Sequence, residues 1–538
     1  MNLFLEALEW LFTGENWDGD AGILSRLQQH LYFTLAVVAV ACVLALPAGV
    51  AIGHTRRGVA VVPMITASAR ALPTLGLLTL VGLWSGLGLV ALWLLFLGLG
   101  WPLPAVPGGA QVWHVHELLF GLSLAAVAGF ALTAVPEFTS TPSFRARHVR
   151  QLLAWWLAGR VAFWFSGFWP PVLLALAGAA HVGFAVMLTA LIGPRLWRDP
   201  GHRQQGFWWA LLALVCTVTG FYVDALLGEY PMRWLHATLG VLMCLIVVAM
   251  SRISMSIVNA SIDDLNAEEQ RAARQVAQTA APVASGAAGQ IVPKAQDTSD
   301  GRGMAGGMPH AWTGSDAASG GIATASGAVL PASATRVVTG HDDDEREAYL
   351  ARPPRRHLAV ICITLFTVMQ WFAPDDRVTG WLALASSSAM LNLLNDWHVG
   401  RPLFHRWPLM LYGVYLFMAA GYGLTGLMLL QGDGSASPGI HLLTVGALGL
   451  AVYAVICIAG YTHSGLEKNG RPWVIVGAVL LTTGAVLRAL AYWFDPPVLL
   501  QAAGLMWCAA YALQAWQMLP VFLRARADGA EGCAGVQD

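Results

Sequence analysis

Residues Trp113-His114-Val115-His116-Glu117 put two imidazoles and a carboxylate within five positions at the head of an apolar run. Neutral imidazole is the commonest nitrogen ligand for transition metals, haem iron and copper among them. Side chains at i and i+2 of a helix point to nearly opposite sides. His114 and His116 therefore cannot both face one metal from within a helix. Either one binds and the other supports it, or they serve two centres. Glu117, in the first turn, is favoured by the helix dipole and is placed to orient a ligand imidazole. Two more histidines hold comparable positions. His236 stands near the start of a later apolar run, and His441 opens another.

Charges inside apolar runs are the second signal. Arg160 interrupts QLLAWWLAGRVAFWF, Arg488 interrupts LLTTGAVLRALAYWF, and Asp224 lies near the end of its run. Charges at such depths face a bundle interior. The two arginines are suited to pair with an acidic side chain or with the carboxylate of a bound cofactor. Cysteine adds little. The seven (Cys42, Cys216, Cys244, Cys362, Cys457, Cys508, Cys533) are scattered singly. Without a C-x-x-C pair they form no disulfide framework, zinc knuckle or c-type haem attachment site.

The elements that must position these groups are helices in a bilayer. The chain has 538 residues, 57% of them hydrophobic and 11% charged, against about 25% charged in a soluble domain. Runs of 18 or more apolar residues span the ~30 Å hydrocarbon layer as helices. Counting them predicts spans at 31–53, 73–100, 114–136, 150–167, 170–193, 205–227 and 231–256. After a gap come 356–373, 378–395, 407–430, 440–461, 472–492 and 498–522. The fold class is all-α and polytopic, with about 13 transmembrane helices. The net charge of −1 argues against a nucleic-acid surface. Twenty-three tryptophans suit aromatic belts at the two interfaces.

Loop charges predict orientation. Arg56 and Arg57, Arg145 to Arg150, Arg195 and Arg198, Arg252, Arg352 to Arg356, Arg401 and Arg406, and Lys468 and Arg471 fall in alternate loops. The loops between are short and neutral or acidic, with Arg233 and Arg377 as exceptions at their edges. Lys and Arg stay cytoplasmic, so the N-terminus is expected in the periplasm and the C-terminus in the cytoplasm of an inner membrane. His114, His116, His236 and His441 then share the periplasmic level. His463 lies at the cytoplasmic end of the same helix as His441, ~33 Å away. His181 is expected mid-membrane, hydrogen-bonded between helices.

Residues 260–355, rich in Ala, Gly, Ser and Gln, cannot bury enough surface to offset their conformational entropy. They are expected to be a disordered cytoplasmic linker joining two bundles, 91–259 and 356–526. Residues 527–538 are expected to be a disordered tail.

Trp113 to Glu137, WHVHELLFGLSLAAVAGFALTAVPE, resembles the signature of the NnrS family, a WHxHExLFGF stretch followed by AGFLLTAVPNWTG. QLLAWWLAGRVAFW is similar to that family's WLAGRxA segment. GIHLLTVGALGLAVYAVICIAGYTHSGLEKNGRP is similar to its second hallmark, HALTVGAxG…TRxxxGHTGRP. The resemblance implies an inner-membrane protein of twelve helices that binds haem and copper and protects denitrifying cells against nitric oxide. Among its motif positions are His114, His116, Glu117, His441 and His463, with Arg160 and Arg471. The chain departs from the family at Gly460-Tyr461, at Ser251-Arg252-Ile253-Ser254, and in lacking a histidine in span 407–430. Residues 1–90 instead resemble the start of an osmoprotectant ABC-transporter permease, which suggests a fused segment carrying the extra helix.

Three functions follow as expectations. The first is a haem- and copper-binding protein of nitric oxide tolerance, with nitric oxide or a metal as its small ligand. The second is a permease subunit for quaternary amines of the glycine betaine/choline type. The third is a quinone-linked haem oxidoreductase. The expected ligands are His114, His116, His236, His441 and His463. Glu117, Arg160, Asp224, Arg471 and Arg488 are expected as their partners or as partners of haem propionates.

Overall fold

The computed structural model describes residues 74–198, 205–285, 349–432, 435–466, 471–494 and 496–522, together with the single positions Ser25 and Gln28. Predicted span 31–53, the rest of the permease-like segment before residue 74, and the tail 527–538 lie outside these residues.

Among the described residues the elements of regular structure are all helices. In the first half the chain forms α1 (Thr74–Leu99), α2 (Gly109–Thr139), α3 (Ala146–Trp164), α4 (Pro170–Arg198), α5 (Gln205–Leu227) and α6 (Met232–Ser285). The second half forms α7 (Pro353–Phe372), α8 (Arg377–Leu394), α9 (Arg406–Gln431), α10 (Ser437–His463), α11 (Pro472–Leu490) and α12 (Pro496–Phe522). Each coincides with one predicted span to within a few residues, α6 excepted at its C-terminal end. Among the described residues nine helices are long and apolar enough to cross a membrane. The other three carry more polar residues. α3 holds Arg147, Arg150 and Arg160, α7 opens on Arg355 and Arg356, and α8 contains three consecutive serines.

The surface is inverted relative to a soluble protein. Trp84, Trp155, Val161, Trp381, Leu505 and Trp516 face outward, while His116, Glu117, Arg160, His181, Asp224 and Gln514 are buried. Soluble monomers rarely show so much exposed apolar surface, whereas lipid accepts it. This is a multi-pass, all-α membrane protein.

α6 runs on to Ser285, past residue 260 where the sequence predicts the linker to begin. The reason is local. AEEQRAARQVAQTAA is made of strong helix formers, which carry the helix onward without an apolar face. Residues 286–348 lie outside the described part. The ends of the predicted linker region are held to the bundle: the Tyr349 hydroxyl lies 3.1 Å from the Ser254 hydroxyl. Arg355 donates to the buried Asp396 carboxylate at 2.6 Å, and the Arg352 backbone N–H donates to it at 3.0 Å. The helices before and after the linker form one compact unit, with residues 259–348 as a second. Within the first unit, Trp234 of α6 meets Trp371 of α7 edge-on at 4.0 Å. Leu94 of α1 fills the space above Gly504 of α12, where a Cβ would lie 2.5 Å from it. α1 is one helix across residue 90, so the predicted boundary there cuts a packed element.

Two helices carry the same irregularity. α2 and α10 each contain a seven-residue π-helical segment, Glu117–Ser123 and Leu442–Leu448. Each starts on the residue after a motif histidine, His116 or His441. Each also places a glycine five positions beyond that histidine, Gly121 or Gly446. π segments free backbone carbonyls and occur disproportionately at functional sites. Here neighbouring side chains satisfy nearby carbonyls. Trp156 Nε1 donates to Gly121 O at 2.8 Å, and Tyr511 Oη donates to Gly449 O at 2.7 Å.

Candidate functional site

The first cluster is assembled by four helices. α3 buries Val149, Leu152, Trp156, Gly159, Arg160 and Phe163, one stripe at helical spacing. That stripe faces α2 and α4. Arg160 reaches the Glu117 carboxylate with two N–H groups, Nε at 2.8 Å and Nη2 at 2.5 Å on the same oxygen. Its guanidinium also lies 4.7 Å from the Trp156 ring centroid. The other Glu117 oxygen sits 3.0 Å from His116 Nδ1. His116 stacks on Phe163 with ring centroids 3.6 Å apart. Its Nε2 lies 2.8 Å from the Tyr222 hydroxyl of α5, and His181 Nδ1 of α4 lies 2.6 Å from the same oxygen. His116, Glu117 and His181 have no solvent exposure, and Tyr222 has 2%.

Glycines make this approach possible. A Cβ on Gly159 would come within 2.8 Å of three atoms of the His181 ring. One on Gly178, a turn before His181, would meet Tyr222 at 3.0 Å.

Proton positions follow from the partners. An ionised carboxylate only accepts, so His116 Nδ1 carries the hydrogen and Nε2 is a bare lone pair. Tyr222 then donates to His116 and accepts from His181 Nδ1. His181 Nε2 is left buried without a partner.

The second cluster lies on the other side of the same motif. His114 stacks on Trp93 with centroids 4.2 Å apart. It is close enough to Arg488 of α11 and to His441 of α10 for their charges to interact. His441 Nδ1 donates to the Ser437 carbonyl at 2.7 Å, which leaves Nε2 as the lone-pair nitrogen. Arg488 Nη2 is 3.5 Å from the Ser437 hydroxyl. His236 is nearby but separate. With Gln370, Tyr422 and Thr425 it lines a small cavity bounded by Ile440 and Leu443, which flank His441.

Three expected residues sit elsewhere. His463 Nε2 lies 3.8 Å from a Glu137 carboxylate oxygen, so the far ends of α2 and α10 also meet. Arg471 stacks over the Tyr461 ring at 4.5 Å. Asp224 pairs with Arg233 of α6 at 2.8 Å and touches none of the histidines. Among the described residues, no three His, Cys, Asp or Glu side chains converge on one point.

His114 and His116 therefore serve two different places, one of the two alternatives their spacing left open. Arg160 finds an acidic side chain, Glu117. Tyr222 was not foreseen, because a tyrosine inside FYVDALL gives no sequence signal. His181 does hydrogen-bond between helices as expected, yet through the same hydroxyl as His116. Its lone position in an apolar run was the available clue.

A multi-pass helical bundle with buried histidine clusters on two π-containing helices defines the general class. The particular family follows from comparison: the profile of the NnrS protein family matches residues 77–312 and 317–526. The chain belongs to the NnrS family. None of the curated proteins matches it. The match begins inside α1, ahead of residue 90.

Proposed function

We propose that this protein binds haem and copper in the bacterial inner membrane and protects the cell against nitric oxide, in the setting of denitrification. The observation that carries the reading is the pair of buried imidazole clusters on the two motif helices, inside a bundle whose remaining interior is largely apolar. Buried polar groups in a membrane are expensive, and they mark function by default.

The donor chemistry fits both cofactors. His116 and His181 on one side, and His114 and His441 on the other, are the imidazoles that would hold them. Glu117 fixes His116, and the Ser437 carbonyl fixes His441, each by taking the hydrogen of the opposite ring nitrogen. Arg488 supplies a cation beside His114 and His441 for a carboxylate such as a haem propionate. When bound, the metals supply centres at which nitric oxide coordinates. The rings of Trp93, Phe120, Phe163 and Phe221 pack against His114 and His116 and keep water away, and a small apolar gas needs no polar channel to reach them.

The distribution of Arg and Lys between alternate loops supports a periplasmic N-terminus and a cytoplasmic C-terminus. Gene deletion tests the reading. The deleted strain should grow more slowly than its parent under a nitric oxide donor, and the intact gene should restore growth while a His116→Ala, His441→Ala version should not. Equal growth of deleted and parent strains under the donor contradicts it.

A further inference from the structure

The two motif helices share more than a histidine and a π segment. Seven, ten, eleven and fourteen positions beyond His116, α2 carries Ser123, Ala126, Val127 and Phe130. The same count from His441 gives Leu448, Ala451, Val452 and Val455 of α10. All eight line one cavity of about 70 Å³. Within each helix the four form a single stripe, at i, i+3, i+4 and i+7. α6 supplies the third wall with a face running from Leu242 to Met250. α2 and α10 run in the same direction, since His114 and His441 interact at one end while Glu137 and His463 meet at the other. Two helices further on in each case, α4 and α12 both open on Pro-Pro-Val-Leu-Leu, at 170–174 and 496–500. The cavity therefore lies at equivalent places on two helices built to one plan.

Its lining is apolar. Ser123 carries the one hydroxyl there, and that group is already used: its Oγ donates to the Leu118 carbonyl at 2.8 Å. A cavity without free polar partners stays dry, and such cavities take up xenon and small hydrocarbons. At about 70 Å³ the space is far below the roughly 300 Å³ at which pockets for drug-sized ligands begin. A haem or a quinone ring is therefore too large, whereas a diatomic gas of about the size of a water molecule, ~30 Å³, fits. Leaving the space empty costs stability, because the lining atoms lose contact partners. Ala126 and Ala451 face it at matched positions, where a larger side chain would fill it. Its near edge, Ser123 and Leu448, is seven residues along from each motif histidine, ~10 Å deeper in the bundle.

We propose that this cavity is a docking site for a small apolar gas, shared between the two histidine clusters, and that the gas is nitric oxide. The choice of nitric oxide rests on the function proposed above, whereas the gas site itself requires neither haem nor copper. Docking is non-covalent, so no bond forms or breaks. A molecule that enters from the hydrocarbon layer is held there within ~10 Å of the level of both clusters without meeting water.

Crystals of the full-length protein pressurised with xenon test the site, because xenon is apolar, inert and visible by its anomalous scattering. A xenon peak should appear between α2, α6 and α10, and Ala451→Leu should abolish it. Absence of that peak, or ordered water or a lipid chain in the same place in unpressurised crystals, overturns the proposal whatever the variant does. The identity of the gas is tested on the haem-loaded protein by flash photolysis of bound nitric oxide. Saturating xenon should reduce several-fold the fraction of nitric oxide that rebinds from within the protein. An unchanged fraction with xenon seated in the cavity overturns the docking role and leaves the haem and copper reading intact. A protein that takes up xenon but neither haem nor copper keeps the gas site and overturns nitric oxide as its occupant, together with that reading.

Discussion

Arg160→Met should destabilise the protein strongly, and most of the loss should vanish when Glu117 is removed as well. Three hydrogen bonds converge on the Glu117 carboxylate, two from Arg160 at 2.8 and 2.5 Å and one from His116 at 3.0 Å. The Glu117 side chain has no solvent exposure, so water cannot replace a lost partner. Removing one member of a buried pair costs ~3–5 kcal/mol because the other charge is left uncompensated. In the double variant Glu117→Leu, Arg160→Met no charge remains. His116 Nδ1 loses its acceptor there, which leaves a residual cost of ~1–3 kcal/mol. The double variant should therefore be more stable than Arg160→Met alone. The coupling should be several times the ~0.6 kcal/mol typical of hydrogen bonds between membrane helices. Unfolding in detergent by SDS titration, followed by circular dichroism, gives the four corners of the cycle. An Arg160→Met loss under ~1 kcal/mol, or a double variant as unstable as the sum of the singles, would refute a desolvated ion pair.

Other predictions follow from close approaches and exposure. Gly159→Ala pushes a methyl to 2.8 Å from the His181 ring, so it should break the bond to Tyr222. It should lower stability by ~1–3 kcal/mol in the same titration. Gly439→Ala should be more damaging, since its Cβ would meet the backbone of α9, Gly421 O and Thr425 N, both at 2.6 Å. Membrane yield and thermal unfolding should both fall. Asp224→Asn should matter little, at most ~1 kcal/mol, because its partner Arg233 is half exposed. Deleting residues 286–344 should leave folding and cofactor spectra intact, because the segment lies within the second unit, while Ser254 and Tyr349, on either side of that unit, meet within the first. Loss of cofactor from that variant would show that the segment contributes to the site.

The helices were readable because a bilayer demands long apolar runs, and every described helix answers to one. The end of α6 was not, since AEEQRAARQVAQTAA is helical by propensity while it lacks the apolar face that pattern counting detects. The π segments were equally hidden. His116 to Gly121 and His441 to Gly446 share a spacing, but the extra residue per turn is stabilised by Trp156 and Tyr511, which lie far away in sequence. For the clusters, i and i+2 geometry correctly implied that His114 and His116 diverge. A shared membrane level did place His114 and His441 within electrostatic reach. It could not distinguish His236, which faces its own cavity, from a ligand. Nor could it select Tyr222, whose role comes from the crossing of α4 and α5 over Gly178.

Cofactor content of the purified protein bears most directly on the central proposal. Haem and copper should both co-purify with the wild-type chain, and the haem spectrum should change when nitric oxide is added. Substituting His116 or His441 should alter the spectrum of the group that each holds. A protein that carries neither group after growth with iron and copper, or whose spectra are indifferent to His114, His116, His181 and His441, would contradict it.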